Sequence, residues 1–267
     1  MKQVEKYSDG YLKFRKRQIT QKWLVRAAQF SIFAVLIILW EVLTKYQVID
    51  SFFISSPSRI IKAIGELSAS GELFGHIGAT LYETLAGFAI SVGLGTIIAI
   101  LLWTSSTVKR ILEPYLVLLN ALPKIALGPV IIILAATQTA AIITMCVLIC
   151  VITTIISLLS SFINADAEHI TLLKSMNANK AQIFTKYVFP SSIPNFISVL
   201  KVNIGLCWVG SIMGEYLTST RGLGYLILYG SQVFKLDYVM ASVVIIAILA
   251  TFMYVLISFV EKRVHKL

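Results

Sequence analysis

Between Ile125 and Ala165 the chain runs for 41 residues without a formal charge. As helix, at about 1.5 Å per residue, that stretch would reach roughly 60 Å, about twice the hydrocarbon thickness of a bilayer. It is expected to hold two membrane spans. The turn between them is placed at Thr137, Gln138 and Thr139, the polar cluster nearest the midpoint. Three other runs obey the same rule: 27–44, with Glu41 near its outer end, then Thr84 to Val108, then 238–260.

The segment 196–217 is harder, because Lys201 and Glu215 leave only 13 uncharged residues between them. It is still read as a span, since the polar stretch before it and the apolar run after it require a crossing. The result is an all-α polytopic membrane protein with six transmembrane helices. Residues 1–26 form a basic cytoplasmic tail, 27–262 the transmembrane domain, and about 162–195 a large loop. Only 13% of residues are charged, half the fraction usual in soluble domains.

The net charge of +10 raises nucleic acid as a partner, but the placement of the charge argues for a lipid bilayer instead. Of 23 Lys and Arg residues, 16 fall on one side of this topology and five on the other. Basic loops stay cytoplasmic, so both termini and the 162–195 loop are expected inside a cytoplasmic membrane. The basic tail lacks the aromatic residues that would stack on bases. It also runs into Glu41 without a small-residue cleavage pattern, so an uncleaved first span is expected rather than a leader.

The loop itself carries structure. From Asp166 to Asn195 its apolar residues recur at helical spacing, first Leu172, Leu173 and Met176, then Ile183, Phe184, Tyr187 and Val188. Two short amphipathic helices are expected, with Asn177 in the left-handed cap of the first. Pro190 and Pro194 are expected to end the second, because proline lacks the amide a continuing helix needs. Elsewhere, Ser56 can cap a short helix opened by Pro57, with Ile60, Ile61, Ile64 and Leu67 on one face. Gly222, Gly224 and Gly230 allow a re-entrant or broken helix before the last span.

At this point the residues resemble a family, the permease subunits of type I ATP-binding-cassette (ABC) importers. Their coupling loop reads Glu-Ala-Ala, three residues, Gly, nine residues, an aliphatic residue, one residue, Leu-Pro. Here Thr171, Leu172 and Leu173 stand at Glu-Ala-Ala, Asn177 at Gly, Tyr187 at the aliphatic position and Phe189-Pro190 at Leu-Pro. LNALPKIALGP (Leu119 to Pro129), FFISSPSRI (Phe52 to Ile60), LKVNIGLCW (Leu200 to Trp208) and RGLGYLI (Arg221 to Ile227) resemble the nitrate, sulfonate, taurine and bicarbonate group of that family.

The resemblance implies a fold, partners and a substrate class. The fold would be the type I importer permease with a cytoplasmic coupling helix. The partners would be two ABC ATPase subunits, a second permease subunit making a homodimer, and an extracytoplasmic substrate-binding protein. The solute would be a small oxyanion such as a sulfonate, nitrate or bicarbonate, or alternatively a small heterocycle such as a vitamin precursor. A self-sufficient secondary transporter is the rival class, but no repeat relates 27–161 to 196–260. An intramembrane enzyme is disfavoured by the lack of paired catalytic residues. No G-x-x-x-x-G-K-[ST] loop occurs, so ATP and Mg would be bound by the partner ATPase and no cofactor by this chain.

Candidate residues follow from both readings. For ATPase coupling they are Thr171, Leu172, Leu173, Ser175, Met176, Asn177 and Ala178, with Leu172, Leu173 and Met176 as groove-filling anchors. For the translocation pathway they are Pro123, Lys124, Asn203, Trp208 and Glu215. Lys124, set between Pro123 and Pro129, marks a kink and either faces an anion or snorkels to headgroups. Glu215 is placed near an outer gate, because charges within spans normally face a cavity or a partner. Lys201 either snorkels or faces a partner. Glu83 is expected to pair with a base or to sit at the outer interface. Cys146, Cys150 and Cys207 read as small apolar residues, and His76, His169 and His265 make no metal site.

Overall fold

The structure, a computed structural model, describes residues 9–264. Lys2, Lys6 and Lys266, part of the charge reading above, and His265 of the metal reading lie outside them. Among the described residues the chain is helical throughout, with no strand. It divides between Lys62 and Ala63 into two compact units.

The first unit is dominated by α1, Asp9–Lys45, which is continuous from the basic segment into the first apolar run. A turn at Tyr46 to Ile49 leads to α2, Ser51–Ile54, and then to α3, Pro57–Ala69, which crosses into the second unit. Pro57 opens α3 as its sequence requires, with the Ser56 hydroxyl accepting from the Arg59 amide at 3.4 Å. The inward stripe is Ile60, Ala63 and Leu67, each 3% exposed, whereas Ile61 is 71% exposed. Ile61 therefore does not share the buried face, because one residue along a helix turns the side chain by about 100°. Within the first unit Glu41 accepts from the Ser58 amide at 3.1 Å and its hydroxyl at 2.8 Å.

The second unit is built on three long helices, α4 (Glu72–Thr104), α7 (Gln138–Ile163) and α10 (Phe189–Thr218). Helix α7 packs against both α4 and α10. Small residues allow this: a Cβ at Gly210 would lie 2.9 Å from the Cα of Cys146, and one at Gly95 2.5 Å from the Cβ of Thr154. In lipid, where apolar burial gives little drive, close backbone approach and buried hydrogen bonds hold helices together. The Asn203 amide donates to the Thr154 hydroxyl at 2.6 Å, and the Thr84 and Ser211 hydroxyls meet at 2.7 Å. The cysteines are buried and free, as the sequence suggested. Helix α12, Leu236–Val264, completes the unit, with the Lys201 ammonium of α10 in an ion pair with its Glu261.

Among the described residues five helices are long and apolar enough to cross a membrane, six if one bent pair counts as a span. That pair corrects the reading of 125–165 as two full spans. Helix α5, Ser106–Ala121, meets a 3₁₀ turn at Lys124–Leu127 and α6, Gly128–Leu134, at 84°. Proline at 123 holds Leu122 extended, at φ −65° and ψ 138°, so the helix breaks there. The turn at Thr137 stands as expected, its hydroxyl capping α7 at the Ala140 amide.

A second correction concerns Pro190 and Pro194, which end nothing. Helix α8, Ala167–Ser175, is followed by α9, Lys180–Ile183, a π turn at Phe184–Val188, and then α10 without a break. In the π turn the Phe189 amide bonds to the Phe184 carbonyl, one residue further back than in an α-helix. The π turn directly precedes Pro190, which stands at the first positions of α10, while Pro194 lies inside that helix.

Candidate functional site

Helix α8 is held at both ends by its own sequence. At the start, the Asp166 carboxylate accepts from the Glu168 amide at 2.9 Å and meets His169 Nδ1 at 3.0 Å. The amide first, and then His169, hold that carboxyl below the ordinary aspartate range. The His169 ring lies on Tyr187 at 4.9 Å and 8° between planes. At the far end Asn177 has φ 59°, the left-handed conformation expected of it. Its amide donates to the Lys174 carbonyl at 2.9 Å, and the Ala178 amide to the Leu173 carbonyl at 3.0 Å. Together these make a complete Schellman cap.

Asn179 then starts α9 with a capping box, exchanging 2.8 Å bonds with Gln182. The sequence reading missed this box, although N-x-x-Q is its usual signature. Two caps back to back make the Asn177–Asn179 corner rigid.

The coupling candidates are divided by this geometry. Leu172 is 59% exposed and Met176 71% exposed, side by side on the outer face of α8. Leu173 and Ala178 turn the other way, against the core of Leu158, Phe162, Ile183 and Val188. Leu173 therefore anchors α8 to the bundle instead of standing free on its surface, since helical rotation separates it from Leu172 by about 100°. The Thr171 and Ser175 hydroxyls bond back to the Ala167 and Leu172 carbonyls at 2.8 and 2.7 Å.

The pathway candidates are not gathered at one point. Pro123 and Lys124 sit at the bend after α5, with the lysine ammonium 3.3 Å from the Asn120 side chain. Asn203, Trp208 and Glu215 are all buried along α10, and one polar atom of each has no hydrogen-bond partner. None of the five lines either of the two polar clefts at the ends of α10. The first, about 570 Å³, lies at its start among Ser157, Ser160, Ser161, Asn164, Ser191 and Asn195. The second, about 580 Å³, lies past its end among Glu72, His76, Arg221, Tyr225, Tyr229 and Tyr238.

Glu215 faces neither a base nor an open cavity. Its Oε2 accepts from the Gly224 amide at 2.6 Å, at the start of α11, Leu223–Gln232. The two preceding amides are also held by side chains: Gly222 donates to His76 Nδ1 at 3.0 Å and Leu223 to Thr80 Oγ1 at 2.8 Å. Three successive amides at a helix start, normally orphans, are thus each satisfied from α4 or α10. Gly222 has φ 114°, and a Cβ there would run into the Glu215 carboxyl. Glu83, 4% exposed, faces Thr139 and Glu215 and not a base. His76 and Thr80 were missed in the sequence. The signal was a stripe of polar and small residues at helical spacing, His76, Thr80, Glu83, Thr84, Gly87 and Ser91. Among the described residues no cluster of His, Cys, Asp or Glu could hold a metal.

Comparison with known proteins places this arrangement. Residues 91–266 match the family described as "Binding-protein-dependent transport system inner membrane component". The chain is 28% identical to the formylaminopyrimidine transport permease protein ThiX of Halalkalibacterium halodurans, over 72% of this chain and 76% of that one. It is 24% identical to the taurine transport system permease protein TauC of Escherichia coli, over 94% of each. Among solved structures, an inward-facing conformation of the MetNI methionine ABC transporter superimposes with a TM-score of 0.60 at 15% identity. That match covers 73% of this chain and 95% of the other and speaks for the fold alone.

Proposed function

Because the chain belongs to the binding-protein-dependent transport system inner membrane components, the permease subunits of type I ABC importers, we propose that α8 is its coupling helix. The observation that carries this is the pair Leu172 and Met176, exposed together on a helix that is capped at both ends and backed by the core. A rigid helix offering two large apolar side chains fits a groove on another subunit, the helix-in-groove mode of recognition. The groove belongs to a separate ATPase, two copies serving a homodimer of this chain. ATP closes the ATPase pair and, through α8, shifts the permease between inward-open and outward-open states. The termini and α8 face the cytoplasm, in keeping with the basic residues of 1–26, α8 and α9.

The solute is a small oxyanion, a sulfonate first, received from an extracytoplasmic binding protein. Its support is the similarity to the taurine permease over nearly the whole chain. A small heterocycle is the second reading, favoured by the similarity to the formylaminopyrimidine permease. Purifying the tagged chain from its own membranes tests the architecture. A P-loop ATPase and an extracytoplasmic binding protein should be recovered with it after mild crosslinking. Recovery of the chain alone, fully active in solute uptake without ATP, would establish the secondary-transporter reading instead.

A further inference from the structure

The cleft past the end of α10 contains groups that the capping of α11 leaves unused. His76 Nδ1 accepts the Gly222 amide, so a neutral ring carries its proton on Nε2 and has that donor to offer. Glu72 stands one helical turn before His76 on α4, and Arg221 directly precedes Gly222. Both are exposed and line the same cleft, yet neither side chain has a hydrogen bond or ion pair among the described residues. Beside them the rings of His76, Tyr225 and Tyr229 form a ladder, with centroids 5.9 and 6.1 Å apart and planes within 20° and 26°. A volume of about 580 Å³ is in the range of small-ligand pockets.

From these groups we infer that the cleft is a binding site for a small zwitterion. Arg221 and the His76 Nε2–H take the anionic head, and Glu72 with the Tyr225 and Tyr229 faces takes the cationic end. A guanidinium presents a planar fork of donors suited to an oxyanion. An ammonium is attracted both to a carboxylate and to the face of an aromatic ring. Opposite charges that share a cleft without meeting leave room for a ligand that carries both. In the proposed orientation this cleft opens outside, so the site would hold solute before it enters the bundle. The inference rests on the importer reading only in naming the ligand as the transported solute.

The test uses the full chain in lipid nanodiscs and three probes read by saturation-transfer NMR: 2-aminoethanesulfonate, ethanesulfonate and ethylamine. The zwitterion should bind saturably, and each single-charge probe about tenfold or more weakly, the usual effect of losing a charge-assisted hydrogen bond. Arg221→Gln should weaken the zwitterion and ethanesulfonate but leave ethylamine unchanged, and Glu72→Gln should weaken the zwitterion and ethylamine but leave ethanesulfonate unchanged. Tyr229→Leu should weaken the two ammonium probes only. Absence of saturable binding, or binding indifferent to both charge variants, would overturn the site. So would variants that disturb only the association of a protein partner with this face. Because ATPase retention through α8 is measured in the same preparations, the site can fail while the importer reading stands.

Discussion

The two ends of α10 are built on different principles. At its start, the α8–α9 corner is made by side chains and amides within a few residues of one another: Asp166 with Glu168, Asn177 with Lys174, Asn179 with Gln182. At its finish, the turn into α11 is made by partners far apart in the chain, His76 and Thr80 from α4 acting on Gly222 and Leu223. The clefts differ in kind as well. The one at the start is lined mainly by hydroxyls and amides, whereas the one at the finish carries an arginine, a glutamate, a histidine and three tyrosines. On the coupling-helix reading, a corner that docks as a unit against another subunit gains from local rigidity. A turn pinned between α4 and α10 is tied to the packing of those helices, so any shift between them reaches it directly.

The sharpest way to break that contrast is at Gly222. Gly222→Ala places a Cβ against the Glu215 carboxyl at a φ of 114° that other residues rarely adopt. Strain and overpacking each cost about 1–3 kcal/mol, so the thermal midpoint of the purified chain should fall clearly. At the same turn Glu215→Ala removes the acceptor of the Gly224 amide, at a cost of about 1–3 kcal/mol, and Glu215→Gln should be milder. Transport should drop more than assembly in Glu215→Ala. Disappearance of the assembled complex together with transport would show that Glu215 holds subunits rather than the turn.

A smaller effect is expected at the other end. Asn177→Gly should be tolerated, because glycine adopts φ 59° freely, while Asn177→Val should cost about 1–2 kcal/mol. Protease sensitivity of the α8–α9 corner reads the difference, and equal sensitivity in the two variants would deny the corner its left-handed cap.

How far the sequence reveals this molecule follows the same division. The left-handed Asn177, the turn at Thr137 and the Pro57 start are local, and cap chemistry with a polar cluster in an apolar run finds them. The continuous run from Lys180 to Thr218 was hidden, because it contains two prolines that read as a stop, one just after a π turn and one inside α10. Leu173 was misplaced among the anchors, since two neighbouring leucines look alike until the core is known. Glu215 drew attention as a charge within a span, but its partner, the Gly224 amide, is a backbone group that no side-chain pattern advertises.

The smallest effect concerns pH. Asp166 has its carboxyl held below the ordinary aspartate range by the Glu168 amide and His169, so its contribution to α8 is present above the ordinary value. It is lost as pH falls through the lowered value. A spin label at Glu168 should gain mobility across that acid window in the wild type. In Asp166→Asn the mobility should be independent of pH there. A label that responds identically in both proteins would remove Asp166 as the cap.

The central claim is that Leu172 and Met176 form the surface through which ATP hydrolysis acts on the membrane bundle. Leu172→Ala combined with Met176→Ala removes two exposed side chains without touching the core, whereas Leu173→Ala trims the inward face. Each large apolar side chain buried on docking contributes about 1.5–3 kcal/mol. The affinity of the purified permease for its ATPase, measured for the double variant against the wild type, should therefore fall about a hundredfold or more. The bundle itself should keep its thermal midpoint. Unchanged ATPase affinity with unchanged solute-stimulated hydrolysis in the double variant would contradict the assignment of α8 as the coupling helix.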